Sequence, residues 1–539
     1  MSTALATEIV DAVAAHVDTV LEDGRDEYGE RRTPLLADAV DPETGEALPY
    51  DGRDVGDGRR LSNLAFQQEF LRTLVALGRI TGTDRYREAA AELVSWAFDE
   101  LVDSAGLLNW GGHAAYDLEA DAVVHSKGYH ELKFEYPFYE FLRSVDPDAT
   151  DRFVEAFWNA HVTDWSMLDF NRHGSWDDSV ARSRADSGGG AWDHDYEGGD
   201  VFFWGDGLTF VNTGSDLYYA AGLLAALTGD DEPLRWSKRL ARRYVETRQE
   251  PGISGYQFSQ HPSYCNGPSV RGDRAQYQFA PYVPGDHLVY EGTLFRPRPI
   301  VQRRQLALGD RLGERGAEFT RWAVEELRAW HREAYRPAEN VFEPMLTDGL
   351  SLEGFVIRRE GYFGPKGRII DPIECGPEFL WTYASAFRIA GDEHCFRAAH
   401  EMARGLGLGD VGSVGGDIER DVRTDRNDDA GGRDVDQEPT LTPRADEIPV
   451  RHETLCALLE FHRATGCSAY LDAATILGRR LLESRRNSDA GAFTDEHGRV
   501  LLDDPVPLAL LWLAALLEGD DSANLPTPVG TRGTSSGGF

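Results

Sequence analysis

The chain predicts an all-α fold, an (α/α)n toroid, on three observations. Apolar residues recur at helical spacing in segment after segment along the 539 residues. Several of those segments run into one kind of break, ITGTDRY, LTGDDEP, IAGDEHCF and ATGCSAYL, followed by another helical segment. The pattern "helix, glycine stop, short link, helix" describes stacked antiparallel helix pairs without the strict period of a solenoid. Between the pairs lie long stretches rich in aromatic and charged residues, expected to gather as loops at one mouth of the toroid and form the substrate cleft.

Taken in order, Ile9 to Leu21 opens the helical series. Leu64 to Leu77 and Tyr86 to Leu101 flank the stop TGTD at 81 to 84. Tyr136 to Leu142 and Phe153 to His161 follow, then Leu217 to Leu227 and Leu234 to Tyr244 around TGDDEP at 228 to 233. Phe319 to Tyr335 stands alone. Phe379 to Ile389 and Cys395 to Leu406 flank AGDE, Glu453 to Thr465 and Tyr470 to Leu482 flank ATGCS, and Pro507 to Leu517 closes the series. Two long loops separate these pairs, Ser183 to Phe210 and Gln249 to Arg304. The Gly/Asp-rich stretch Gly409 to Arg451 is expected to be an acidic insert, and 519–539 a flexible Gly/Ser/Thr tail. Residues 1–518 are then one toroid carrying insert 409–451.

Charge excludes some functions. With 92 acidic against 55 basic residues the net charge is −37, a surface that repels nucleic acid and anionic membranes. Only Lys127, Lys133, Lys238 and Lys366 are lysines, and so acidic, Lys-poor a chain is expected from a protein soluble in concentrated salt, where the Debye length falls to about 3 Å at 1 M. Five cysteines, Cys265, Cys375, Cys395, Cys456 and Cys467, are odd in number and widely spaced without CxxC, against a disulfide framework or a thiolate metal site. MSTALATEIVDAVAAHV lacks a basic start and an unbroken apolar run, so a cytoplasmic location is expected. The oligomeric state is not encoded in any of these features.

The chemistry concentrates between His113 and His173. NWGGHAAYD, SKGYHELKFEYPFYEFL and FWNAHVTDWSMLDFNRHGSWD bring His113, His125, His130, His161 and His173 close to carboxylates and tyrosines. Imidazole with carboxylate oxygen suits Mn²⁺, Fe²⁺ or Zn²⁺. His113 follows Asn109-Trp110-Gly111-Gly112, a turn that places it on a loop. Glu131 and Glu135 lie four apart and share a face if a helix has begun there, so either is a candidate ligand. Arg172 precedes His173, a cation beside a candidate ligand where an anionic substrate can dock.

In their order NWGGH, HELKxxxPFYEFL, VDPxAT, FWNAHVxDW and LDFNRHG, these stretches resemble the family 2 polysaccharide lyases, pectate lyases built as an (α/α)7 toroid. The match is dense over 109 to 176. The resemblance implies His113, Glu131 and His173 as ligands of a divalent ion, Mn²⁺ expected, and Arg172 as Brønsted base; Glu131 is preferred to Glu135 because it holds the HELK position. Polygalacturonate or oligogalacturonides are the implied substrates. Lys133, Arg271, Arg274 and Arg296 are candidate contacts to the sugar carboxylates.

The chemistry is β-elimination: the C5 proton lies α to the C6 carboxylate and becomes acidic once that charge is neutralised by a Lewis acid. An arginine base requires a neutral guanidine, which burial and a nearby cation favour; Tyr129, Tyr136, His161 and Lys133 are alternative proton carriers. Two other classes compete. A toroid glycoside hydrolase or sugar epimerase would use carboxylate pairs such as Asp193 with Glu197 or Glu374 with Glu378. A sugar-binding protein would stack saccharides on Trp192, Trp204, Tyr256 and Tyr282 without chemistry.

Overall fold

The computed structural model describes residues 2–49, 58–126, 128–131, 137–176, 191–198, 211–248, 250–255, 295–356, 367–409, 450–520 and 524–528, with Glu131 described through its backbone. Among them are fourteen α-helices. The first seven are α1 (Ser2–Asp23), α2 (Gln68–Thr81), α3 (Asp84–Glu100), α4 (Tyr139–Val145), α5 (Pro147–His161), α6 (Val211–Thr228) and α7 (Asp231–Glu246). The others are α8 (Pro299–Leu312), α9 (Ala317–Ala329), α10 (Pro377–Ala390), α11 (Glu393–Gly405), α12 (His452–Thr465), α13 (Ser468–Arg485) and α14 (Val506–Leu517).

Helices pair as α2 with α3, α4 with α5, α6 with α7, α8 with α9, α10 with α11 and α12 with α13, and α14 packs on α1 to join the two ends of the helical series. The even-numbered members form an inner wall: α6 lies against α4 and α8, α10 against α8 and α12, and α14 against α12 and α2. Composition explains which helix goes where. A helix apolar on every side belongs inside, and a striped one outside. Every residue of α14 from Val506 to Ala515 is buried, whereas α7 (DEPLRWSKRLARRYVE) buries Leu234, Trp236, Leu240, Ala241 and Tyr244 and exposes charges on its other face. The described helices thus form seven inner and outer pairs, the number implied by the resemblance.

The repeated breaks are the tight end of this toroid. Gly82, Gly229, Gly391 and Gly466 each follow an inner helix with φ of 68°, 80°, 65° and 68°, the left-handed cap that glycine adopts without strain. Capping restarts the chain at once: Asp230 accepts the Glu232 N–H at 3.0 Å and Asp392 the Cys395 N–H at 2.9 Å. Short turns at one end leave the long connections at the other, where the inner helices begin. Buried polar side chains mark that end, Gln68, Glu69 and Arg72 on α2, Asp216 on α6, Arg304 on α8 and Glu453 on α12. Arg304 binds the Asn212 carbonyl at 3.0 Å and pairs with Asp216, tying α8 to α6.

Two departures from the sequence expectation concern these ends. Inner helix α8 lies partly within the stretch read as loop, because its polar Gln302, Arg304 and Gln305 are buried and interrupt the apolar stripe. The segment at His130 does not open a helix: Tyr129–Glu131 is a strand and α4 starts at Tyr139. Eight of the short strands sit in the first long connections: β1 (Ala39–Val40), β2 (Leu61–Ser62), β3 (Ala114–Asp117), β4 (Ala122–His125), β5 (Tyr129–Glu131), β6 (Val162–Asp164), β7 (Asp169–Phe170) and β8 (His173–Ser175). β2, β3 and β4 form one antiparallel sheet, and β5 pairs with β8 and β6 with β7.

Cys375, Cys395, Cys456 and Cys467 are free thiols, and among the described residues no helix is long and apolar enough to cross a membrane. Most of the insert (410–449), most of the tail, and Lys127, Lys133, Glu135, Tyr136, Trp204, Tyr256, Cys265, Arg271, Arg274 and Tyr282 lie outside the described residues.

Candidate active site

His113 is set by a turn and a hairpin. Gly111 takes φ 90°, and Asn63 clamps the turn by accepting the Gly111 N–H at 3.0 Å and donating Nδ2–H to the carbonyls of Gly111 and Ala114 at 2.9 and 3.0 Å. The hairpin β3–β4 then puts Ser126 across from His113, with the Ser126 N–H on the His113 carbonyl at 3.0 Å. Ser126 Oγ lies 3.1 Å from His113 Nδ1. A histidine tied through one ring nitrogen is held in one orientation, as metal-ligating histidines are. The imidazole is 6% exposed.

His173 comes from the other hairpin partner. β5 and β8 are antiparallel in the register Tyr129↔Ser175, His130↔Gly174 and Glu131↔His173. Directly opposed residues share a face of a ladder, so Glu131 and His173 occupy one face and His130 and Gly174 the other. On the first face the Tyr129 ring lies 4.2 Å from His173 and 5.2 Å from His113 between centroids, and the two imidazoles are 6.4 Å apart. Arg172 Nε donates to His173 Nε2 at 3.1 Å. Because a guanidinium only donates, His173 Nε2 accepts this bond through its lone pair, and an ion could take that nitrogen only by displacing the hydrogen bond.

Behind the ladder, His161 at the end of α5 contacts both strands. His161 Nε2 is 2.8 Å from His130 Nδ1, and His161 Nδ1 is 2.8 Å from the Asn171 carbonyl. His125 stands apart, bonded through Nε2 to Asn109 Oδ1 at 2.8 Å, with partial burial lowering its pKa.

The structure therefore brings His113, Arg172 and His173 together and sets Glu131 beside them by register. Among the described residues no three His, Cys, Asp or Glu side chains converge as a metal centre; the fit of an ion rests on His113, His173 and the backbone position of Glu131. Arg296 is placed elsewhere, lining a small cavity with Val211, Ser254, Gln302, Glu326 and Trp330 where α6 and α8 begin. Ser126 and Asn171, which orient His113 and His173, were not foreseen. Asn171 sits inside LDFNRHG, but nothing in the sequence says which backbone group it holds.

The residues of the competing readings fall differently. Asp193, Glu197 and Glu374 are exposed. Glu378, at the start of α10, is held above the usual carboxylate range chiefly by burial. Trp192 is 8% exposed, packs edge-on to Trp158, and its carbonyl accepts the Trp236 indole N–H at 2.7 Å. It is core, not a platform for sugars.

Fold and cluster together define a toroid enzyme. An alpha-1,2-mannosidase from Trichoderma reesei shares the fold, with a TM-score of 0.50 at 10% identity covering 98% of this chain and 96% of that one. Residues 33–538 match the family described as periplasmic pectate lyase, and the chain belongs to that family of polysaccharide lyases. It is 34% identical over 412 residues to a pectate disaccharide-lyase of Dickeya dadantii (strain 3937), covering 71% of this chain and 72% of that protein.

The family corrects one expectation. A periplasmic pectate lyase family conflicts with a cytoplasmic location. The reason lies in α1: the N-terminal residues on which that expectation rested bury Leu5, Ile9, Val13, Val17 and Val20 in the core, so their spacing reports packing.

Proposed function

We propose that this pectate lyase cleaves α-1,4-galacturonosyl links by metal-assisted β-elimination, with His113, Glu131 and His173 holding a divalent ion and Arg172 acting as the base. The observation that carries the reading is the β5–β8 register, which sets Glu131 opposite His173 while Arg172 Nε lies 3.1 Å from His173 Nε2. The donors suit the ion: two imidazoles and a carboxylate are ligands for Mn²⁺ as for other divalent transition ions. Bound there, the ion would neutralise the C6 carboxylate and acidify the C5 proton.

The chain's own residues do the rest. Ser126 and Asn63 orient His113, and the ladder orients His173. To take the C5 proton, Arg172, half-buried beside the His173 imidazole, must act as a neutral guanidine. The C5–H electrons form the C4–C5 double bond as the C4 oxygen departs, leaving a 4,5-unsaturated end. Lys133, Arg271 and Arg274 are the proposed contacts to neighbouring carboxylates. The relative named pectate disaccharide-lyase supports release of unsaturated disaccharide from polygalacturonate or oligogalacturonides.

The test is ultraviolet absorbance of the unsaturated product during incubation with polygalacturonate and trigalacturonate, with Mn²⁺ and with EDTA. Absorbance that rises with Mn²⁺ and stops with EDTA is expected. New reducing ends without absorbance would replace elimination by hydrolysis, and a rate indifferent to EDTA would remove the ion.

A further inference from the structure

We propose that the buried pair His130 and His161 is the positioning element of this site, fixing Glu131, Arg172 and His173 relative to one another from behind; the inference rests on the roles given to those three residues above. Strand alternation sets His130 and Gly174 on the face of the ladder away from Glu131 and His173. His161 fills that face. A Cβ on Gly174 would stand 2.7 Å from His161 Nε2 and 2.8 Å from Cε1, so the ring lies where a side chain at 174 would be.

The hydrogen bonds assign the protons. A carbonyl only accepts, so His161 Nδ1, 2.8 Å from the Asn171 oxygen, carries a proton. His161 Nε2 then meets His130 Nδ1 at 2.8 Å, and with both rings neutral His130 is the donor. The backbone closes the loop, the Asn171 N–H donating to the His161 carbonyl at 2.9 Å. Asn171 Oδ1 in turn accepts the His173 N–H at 3.0 Å. One ring at the end of α5 therefore holds β5 through His130, and β8 through Asn171 and Gly174.

Both rings are inaccessible, His130 being 3% and His161 0% exposed, and they pack on Phe157 at 5.8 and 5.3 Å. They do not touch substrate, so the role is positioning. Its effect is on the geometry of the opposite face, where a misplacement of about 1 Å costs on the order of 100-fold in rate.

The experiment compares the full chain with its His161→Phe, His161→Gln, His130→Phe and His173→Ala variants. Three readouts are taken on each: Mn²⁺ affinity by calorimetry, kcat and KM for elimination on polygalacturonate, and thermal unfolding. Phe keeps the ring volume without its nitrogens, while Gln keeps a donor for the Asn171 carbonyl. For His161→Phe and His130→Phe the expected result is a KM within about three-fold of the parent and a kcat lower by on the order of 10- to 100-fold. Mn²⁺ binding should weaken about ten-fold or more, and His161→Gln should recover part of both losses. If His161→Phe does not fold, His130→Phe and His161→Gln carry the same comparison. A lowered melting temperature with parental kcat and Mn²⁺ affinity would make the pair merely structural and overturn the proposal. His173→Ala separates the two levels. If it is inactive while the His130 and His161 variants match the parent, only the positioning role falls; if it is itself fully active, the site assignment beneath falls too.

Discussion

Glu131 and His173 stand directly opposite each other in the antiparallel ladder of β5 and β8. Two candidate ligands 42 positions apart in sequence are thereby held by backbone hydrogen bonds. A slip of one residue would exchange Glu131 for His130 on that face, so the site depends on register as much as on residue type. The first prediction follows at His173. His173→Ala and His113→Ala should each lose Mn²⁺ affinity by about ten-fold or more, while a folded toroid persists in circular dichroism. Unchanged affinity in His173→Ala would remove it from the ligand set.

Arg172 supports a sharper separation. It is proposed as base and not as ligand, so Arg172→Ala should keep Mn²⁺ affinity and KM within a few-fold while kcat falls by about 10²- to 10⁴-fold, the range for loss of a general base. Arg172→Lys should retain some activity, because an amine of lower pKa can replace the base but not the guanidinium geometry. Single-turnover elimination at saturating Mn²⁺ checks this. An Arg172→Ala protein with parental kcat hands the proton to another carrier, and Tyr129, whose ring lies 4.2 Å from His173, is next to be tested.

Four of the helix pairs were legible in the sequence because their inner helices end in a glycine stop whose local chemistry is enough to specify it. Gly82, Gly229, Gly391 and Gly466 need only their own φ. The candidate site could be named by residue type: His113, Arg172 and His173 lie near one another, and Glu131 stands opposite His173 in the ladder. Its architecture was not legible, because HELK read equally as a helix start. Strands as short as β5 and β8 owe their existence to a partner distant in sequence, and periodicity over three residues cannot reveal one. The buried polar start of α8 hid a helix for a related reason: Arg304 is satisfied by Asp216 and Asn212 on α6, contacts that exist only once the ring has formed.

Gly174 tests how tightly the back of the ladder is packed. Its ideal Cβ would meet His161 Nε2 at 2.7 Å, Cε1 at 2.8 Å and Cδ2 at 3.0 Å. The ring is fully buried and anchored at both nitrogens, so it cannot swing aside cheaply. Gly174→Ala should cost about 1–3 kcal/mol, the usual range for overpacking, and lower kcat as His173 shifts. Urea unfolding alongside elimination kinetics gives both numbers. A parental midpoint would mean that α5 yields at its end and that His161 is not a fixed wall.

His16 makes the toroid acid-sensitive. On α1 it accepts the Phe493 N–H at Nδ1, 3.2 Å away, with its ring edge-on to Phe70 and Phe493. Burial, then the nearby Arg485 charge, pulls its pKa from 6.5 down to about 4. The folded state therefore keeps His16 neutral where the unfolded chain takes up a proton. The stability this represents is complete above pH about 6.5 and is lost as pH falls toward about 4, to a total of about 3 kcal/mol at about 1.4 kcal/mol per unit. His452, also lowered to about 4 chiefly by burial, adds to the slope in the same window. Replacing His16 with Gln lowers stability at neutral pH if the Phe493 N–H loses its acceptor, but it removes one titrating group, so the fall of the urea midpoint between pH about 6.5 and about 4 should flatten. Equal slopes in the two proteins would mean that the proton taken up on acid unfolding goes elsewhere.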